Sequence, residues 1–581
     1  MISDWNINSL TIEQEKQKEE LAEQLKISPV LAQLLLQRGV STEEEAKDFF
    51  HPRLDKLHDP FLMKDMDLAV DRLIRALANK ERILVYGDYD VDGTTAVALV
   101  YKFLKQYHHD VDFYVPDRYN EGYGISYQGI DFAKEHGFSL VIALDCGIKA
   151  VEKVDYALSL GVDFIICDHH TPDDVLPRAV AVLDSKRGDC NYPYKHLCGC
   201  GVGFKFMQAL VMTMFVEKEE RDLNMQNLYR LLDFVVVSIA SDIVPITGEN
   251  RILAYYGLKQ LNSNPSLGLR SVIDMTGLKS KEILISDIVF KIGPRINASG
   301  RMQLAREAVE LLVTNNKDFA EERSKQLDEH NEQRKDLDKA TTDIAIRLME
   351  LDKGLEQRKS IVIYNPSWHK GVIGIVASRI SEKYYRPTVV LTRNANGIAT
   401  GSARSVSGFD VYKALESCKD LLVNFGGHIY AAGLAMKEEN VGEFTRRFEA
   451  YVRDHIRPDQ QVAQIDIDAR LSFREINRKF YRVLRKFNPF GPENPKPIFY
   501  TDRVVDKGTS RLVGKENEHL KLDVVDENGM YVTNAIAFRQ GQYFDVIKSK
   551  QPIAICYTIE ENNFKENTTI QLMVQDIKVD L

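Results

Sequence analysis

No apolar run in the 581 residues approaches the ~18 needed to cross a bilayer, so no membrane-spanning helix is expected. The first twenty residues, MISDWNINSLTIEQEKQKEE, lack the basic start and apolar centre of a secretion signal. The cytoplasm is therefore the expected location, with no membrane partner. Cysteine is sparse: seven are scattered along the chain, and the one close pair, Cys198 and Cys200, brackets a single glycine instead of taking zinc-site spacing. Reduced thiols are expected, and a disulfide framework is not. An excess of basic charge is also missing. The net charge of -9 argues against a protein that coats nucleic acid, but leaves room for a local basic groove.

What is present is length and an ordinary globular composition, 44% hydrophobic and 28% charged. At ~100–200 residues per domain the chain holds about three or four. It is organised around residues 82–95, RILVYGDYDVDGTT, where a short apolar run stops at a turn carrying Asp88, Asp90 and Asp92. The β-branched run, the two glycines and the helix-compatible AVALVYKFL predict strand, tight loop and helix. Alternate carboxylates then gather at the C-terminal mouth of a strand, where open α/β sheets bind ligands. They repel one another unless a cation lies between them, and hard oxygen donors suit Mg²⁺ or Mn²⁺. The pattern D-x-D-x-D-G also opens a calcium loop, but the twelfth position counted from Asp88 is Leu99, where that loop needs glutamate.

Upstream, residues 1–77 show apolar positions at helical spacing, and Ser41 with Glu44 forms a capping-box pattern. This segment reads as an N-terminal helical cap on the first large domain. From residue 78 to 315, apolar runs alternate with helical stretches, which implies βαβ units and a mostly parallel sheet, an α/β fold. SLVIALD ends on Asp145, and VDFIICDHH ends on Asp168, His169 and His170. DFVVVSIASD, taken as another strand, ends on Asp242. Several carboxylates plus imidazoles delivered to one sheet edge are what a two-metal site requires.

The triplet Asp168, His169, His170 with GDYDVDG, LDCG and ASDIVP resembles the DHH phosphoesterases, and within them the single-strand-specific exonucleases. The likeness extends through GPRINASGRM (293–302), WHKGVIGIVASRI (368–380), GSARS (401–405) and FGGHIYAAG (425–433), nearly the whole chain. It implies a parallel-sheet DHH domain (78–315), a connecting helix (316–355), a smaller α/β DHHA1-type substrate domain (356–455) and a C-terminal OB-like β-barrel (456–581). It implies two Mn²⁺ or Mg²⁺ ions held by Asp88, Asp90, Asp92, Asp145, His169, His170 and Asp242, with Asp145 bridging and His170 nearest the leaving oxygen. Relatives often carry a metal-binding histidine four residues before Asp90. Here that position is Tyr86, which leaves open whether Asp88 takes over its role in holding one metal.

The implied activity is 5′→3′ hydrolysis of single-stranded DNA to 5′-mononucleotides in repair and recombination. The implied enzyme is a monomer served by a helicase and a single-strand-binding protein. Substrate contacts implied are Arg118, Arg295, Arg301, Ser402, Arg404 and His428. GSARS offers glycine-supported backbone donors, the Ser402 and Ser405 hydroxyls and a guanidinium, a set suited to phosphate.

Residues 316–354 carry Phe319, Leu327, Leu337, Ile344, Leu348 and Leu351 near helical spacing, predicting one long amphipathic helix of roughly 50 Å at ~1.5 Å per residue. Beyond residue 456, short alternating runs suggest the barrel, and Phe487 and Phe490 beside Arg482, Arg485 and Lys486 are candidates for base stacking. Two other readings compete. One is a phosphodiesterase for short oligonucleotides or cyclic dinucleotides on the same fold, against which the barrel-like tail speaks. The other is a non-catalytic replication scaffold, against which the full set of carboxylates and imidazoles speaks.

Overall fold

A computed structural model describes residues 4–118, 120–279, 281–302, 305–394, 397–526, 529–564 and 567–579; the side chains of 299, 301, 302, 563, 564, 567 and 568 lie outside the description. Among the described residues no helix is long and apolar enough to cross a membrane.

The first sheet has five parallel strands, in the spatial order Val111–Tyr114, Arg82–Gly87, Phe138–Leu144, Asp163–Cys167 and Ala181–Leu183. Along the strand Arg82–Gly87, Ile83 and Val85 enter one apolar core while Leu84 and Tyr86 enter another, so helices cover both faces. That burial explains the near-continuous apolar runs.

The helix Lys317–Glu350 leaves this domain, capped by Asn316 accepting the Phe319 amide at 3.1 Å. At ~1.5 Å per residue it spans about 50 Å. Its amphipathicity is not the one predicted. Leu337, Ile344, Leu348 and Leu351 face solvent, while Ser324, Asn331, Asp338, Thr341 and Thr342 are buried with Leu327. Polar partners from both domains, such as Arg379 against Asp338 at 2.7 Å, claim the inner face.

The second sheet is mixed. The strands Ile361–Tyr364 and Thr388–Arg393 are parallel, and Ile398–Arg404, Ala431–Lys437 and Leu422–Gly427 add antiparallel to them. In the third, Phe499–Asp506 pairs with both Ile553–Phe564 and His519–Val525, which closes a small barrel.

The N-terminal segment packs differently from the expectation. Leu21, Leu31, Leu34 and Leu35 share one core with the barrel residues Phe499, Leu522 and Tyr557. Asp4–Ile7 pairs in parallel with Gln464–Ile467. These helices roof the barrel, while the end of the segment, the helix Met66–Ala78, packs into the core of the first domain. The capping box also falls one residue later, on Thr42 and Glu45.

Phe487 is not available to bases: it is fully buried against Phe49 and Phe50, and Phe490 packs beside it in the same core. Arg485 pairs with Glu282 and Glu561. Arg251 joins the first domain to this region. Its guanidinium donates to the carbonyls of Phe49, Lys486, Phe487, Asn488 and Pro489 at 2.9–3.4 Å, with Phe49's ring 3.8 Å away.

Candidate functional site

Acidic side chains gather at the C-terminal edge of the first sheet. Asp90 caps the helix Val91–Leu104, accepting the Gly93 amide at 3.0 Å. Asp92, in the first turn and 1% exposed, accepts the amides of Gly199 and Cys200 and the Ser238 hydroxyl, all at 2.7 Å. Those two amides are orphan donors at the start of the helix Gly199–Met214, so a helix N-terminus faces this carboxylate.

Asp145 follows the strand Phe138–Leu144 with φ +58°, a left-handed conformation costing a non-glycine residue about 1–2 kcal/mol. A Cβ on Gly199 would lie 2.5 Å from the Asp145 Cβ, so glycine there is what lets the helix end come this close. Asp242 arrives on a different element from the one expected. DFVVVSIAS is a helix, Leu232–Ser241, buried on all sides, and Asp242 is its C-cap. A β-branched run buried all round has no polar face to reveal its period, which is why it read as a strand.

The four elements converge. His169 Nε2 lies 3.1 Å from Asp145 Oδ1, 3.5 Å from Asp242 Oδ2 and 3.6 Å from Asp92 Oδ2. Two overlapping sets, Asp92–His169–Asp242 and Asp145–His169–His170, each bring three ligand atoms within 4.8 Å of one another. Asp88 and Asp90 stand outside these tight sets but close enough to act on Asp145 electrostatically. Asp145 Oδ1 and both ring nitrogens of His169 are buried without a hydrogen-bond partner. Buried polar atoms are nearly always satisfied, so Asp145 Oδ1 and His169 Nε2, both unsatisfied and 3.1 Å apart amid hard oxygen and imidazole donors, fit a divalent cation.

Burial, then the charges of Asp92, Asp90, Asp242 and Asp88, push the Asp145 carboxyl well above the usual range. Burial with Asp92 and Asp90 pushes Asp242 up to about 8. Burial and Asp90 raise Asp88, and burial and Asp92 raise Asp90. Burial lowers His169 to about 4, against the pull of Asp92. For His170 burial acts downward too, but the Asp168 hydrogen bond and charge outweigh it and lift the imidazole to about 9.

Asp168 itself orients the site. It accepts the amides of Ile148, His169 and His170 and holds His170 Nδ1 at 2.7 Å. Burial would raise its carboxyl, yet His170 keeps it down near about 2.

A second cluster lies in the second domain. Arg404 donates to the hydroxyls of Ser402 at 2.6 Å and Ser378 at 3.0 Å, and to the Ala403 carbonyl. The guanidinium reaches the start of the helix Ile373–Tyr384, where Gly374 leaves room for it, and burial lowers its pKa. GSARS is no loop of free backbone donors: Gly401 to Arg404 are paired on both sides in the sheet, and Ser405 Oγ donates to the Phe409 carbonyl. Side chains alone remain for a ligand.

Among the other predicted contacts, Arg118 lies 5.1 Å above the Tyr89 ring. His428 sits exposed on the turn after Gly427; partial burial and the charges of His170, Lys186 and Lys149 lower its imidazole, so this turn faces the acidic cluster. Arg295 is committed to Asp328 at 2.8 Å and the Lys291 carbonyl at 2.7 Å. The Arg301 side chain lies outside the described residues.

Sequence reasoning missed Tyr123, whose hydroxyl is 3.1 Å from His170 Nε2, and the Gly199, Cys200 and Ser238 donors on Asp92. The run GCGVG, three glycines in five residues, was the available signal for the close helix end.

Three family models match in order: the DHH family N-terminal domain at residues 82–239, the DHHA1 domain at 357–454 and the RecJ OB domain at 467–576. The chain is similar to the single-stranded-DNA-specific exonuclease RecJ of Bacillus subtilis, 36% identical over 96% of this chain and 69% of that one. It is also similar to the Escherichia coli protein of that name, 31% identical over 95% and 96%. The crystal structure of RecJ with Mn²⁺ from Thermus thermophilus superposes with a TM-score of 0.82 at 27% identity, covering 99% of this chain and 79% of that one. Identity of this extent across all three matched domains has one meaning: the chain belongs to the RecJ family.

Proposed function

We propose that the protein is a metal-dependent exonuclease that degrades single-stranded DNA from the 5′ end and releases 5′-mononucleotides. The observation that carries this is the convergence of Asp92, Asp145, His169 and Asp242 on buried atoms left without partners. Asp145, whose buried carboxylate lies among the charges of Asp92, Asp90, Asp242 and Asp88, would be the central residue holding the cations. Asp90, Asp92, His169, His170, Asp242 and Asp88 complete the set. The relatives' structures with Mn²⁺ and Mg²⁺ support either metal. A bound pair of divalent cations supplies neutralisation of the phosphodiester and a hydroxide at neutral pH.

The chain's own residues do the rest. Asp168 fixes the His170 ring by holding its Nδ1, and His170 stands nearest the leaving oxygen. Ser402 and Arg404 bind the terminal 5′-phosphate as hydroxyl and guanidinium donors, with Arg118 and His428 as further contacts. The fixed distance between that pocket and the acidic cluster sets a product of one nucleotide. We further propose that the enzyme works in the cytoplasm as a monomer, on strands supplied by a helicase and a single-strand-binding protein, in repair and recombination.

The test is Mn²⁺- or Mg²⁺-dependent digestion of a long single strand labelled at either end, with Asp145→Ala as control. Early release of the 5′ label supports the proposal. Cleavage of dinucleotides alone would transfer the site to a short-oligonucleotide phosphodiesterase, and no cleavage would leave a scaffold.

A further inference from the structure

Tyr86 occupies the position at which a metal-binding histidine was expected, yet its ring lies in the core with Leu84, Ile130 and Phe138. It is stacked on Tyr114 at 5.4 Å and 20°. Its hydroxyl is engaged with the loop between the strand Val111–Tyr114 and the helix Tyr127–Glu135. It donates to the Gly124 carbonyl at 3.0 Å and accepts the Ser126 amide at 3.1 Å. From the same strand end, Asp88 accepts the Gly124 amide at 3.2 Å, so both sides of Gly124 are tied to one strand. Glu121 fastens the base of the loop by accepting from Tyr114, Asp117 and Ser126.

Space for the ring is specific. A Cβ on Gly129 would sit 2.6 Å from Tyr86 Cε2.

The anchored loop carries two residues of the site. Tyr123 lies next to Gly124, and its hydroxyl is 3.1 Å from His170 Nε2 and 3.4 Å from the Asp145 carbonyl. Arg118 sits over Tyr89, which in turn meets Tyr123 edge-on at 6.4 Å. Asp168 holds one nitrogen of His170 and Tyr123 contacts the other, so the imidazole is gripped from both sides.

We propose that Tyr86 is a positioning residue: its hydroxyl fixes this loop over the acidic cluster and thereby sets Tyr123 against His170. The inference rests on the proposed nuclease reading only for its kinetic consequence. Tyr86→Phe keeps the ring, the stack and the packing while removing the hydroxyl's hydrogen bonds to the loop.

The variant is expected to lose about tenfold in kcat on a 5′-phosphorylated trinucleotide, with KM and Mn²⁺ affinity each within about twofold of the parent. Combined with Tyr123→Phe, it should lose no more than Tyr123→Phe alone, because both act through one contact. Amide exchange across residues 120–126 should accelerate about tenfold or more in Tyr86→Phe while the strand Phe138–Leu144 stays protected.

Weakened Mn²⁺ binding would instead assign the hydroxyl to the metal set. Additive losses in the double variant, an unchanged kcat, or unchanged exchange in the loop would each overturn the proposal. Should the parent show no nuclease activity, the functional reading falls, and the exchange measurement still decides whether Tyr86 anchors the loop.

Discussion

The first sheet and the second carry opposite electrostatic deficits. At the edge of the first, carboxylates and imidazole nitrogens are buried together; on the second, Arg404 is half-buried among hydroxyls, with no carboxylate paired to it among the described residues. Arg251 shows what a self-sufficient buried guanidinium looks like, since five carbonyl groups and an aromatic face answer it. The difference teaches how to separate structure from site. Charges that the fold satisfies hold domains together, and charges that it leaves short are open to a ligand.

The hardest blow to this contrast should come from Asp145→Asn. Turnover is expected to fall about 10³-fold or more. The metal-free protein should at the same time melt at a higher temperature, because one of several repelling carboxylates is gone and asparagine tolerates the left-handed backbone. A lower melting temperature in EDTA would mean that Asp145 is a structural residue.

Arg251→Ala should show the reverse profile: roughly 3–5 kcal/mol less stability by denaturant titration, from carbonyls stranded without donors, and an unchanged preference among DNA ends. Arg404→Ala should cost less than about 1 kcal/mol in stability, since hydroxyls remain to satisfy one another, but reduce the preference for 5′-phosphorylated ends about 10- to 100-fold. If the two arginine variants gave the same profile, satisfied and unsatisfied charge would not distinguish their roles.

The smallest effect is a pH dependence. In metal-free protein Asp242 titrates at about 8 against 3.8 when unfolded, and His170 at about 9 against 6.5. Between pH 6.5 and 8 the folded state therefore binds more protons than the unfolded one, and stability falls as pH rises. Melting in EDTA should drop by a few degrees across that window. Saturating Mn²⁺ should reverse the slope, because the cations displace those protons. A flat profile in EDTA would show that the carboxylates are further apart in solution.

Much of the catalytic domain was legible because its strands are short, apolar and followed directly by their functional residues; Asp88, Asp145 and His169 could be placed at strand ends from the run lengths alone. Asp242 could not, since a helix buried on every side carries no period. The long helix was legible in length but not in facing. Apolar residues predict the inner face only where the neighbours are apolar, and here Asp338 and Asn331 turn inward. Phe487 looked like a stacking platform beside its basic neighbours, but the N-terminal helices claimed it for their shared core with the barrel.

Local chemistry along the chain thus determined which side chains can bind metal or phosphate and on which kind of element most of them stand. Tertiary structure alone decided which of them meet, because residues as far apart as Asp92 and Asp242 become neighbours only through the packing of helices on the sheet. It also decided which charges go unanswered. Satisfaction of a buried group depends on every segment that reaches it, and that is a property of the assembled fold.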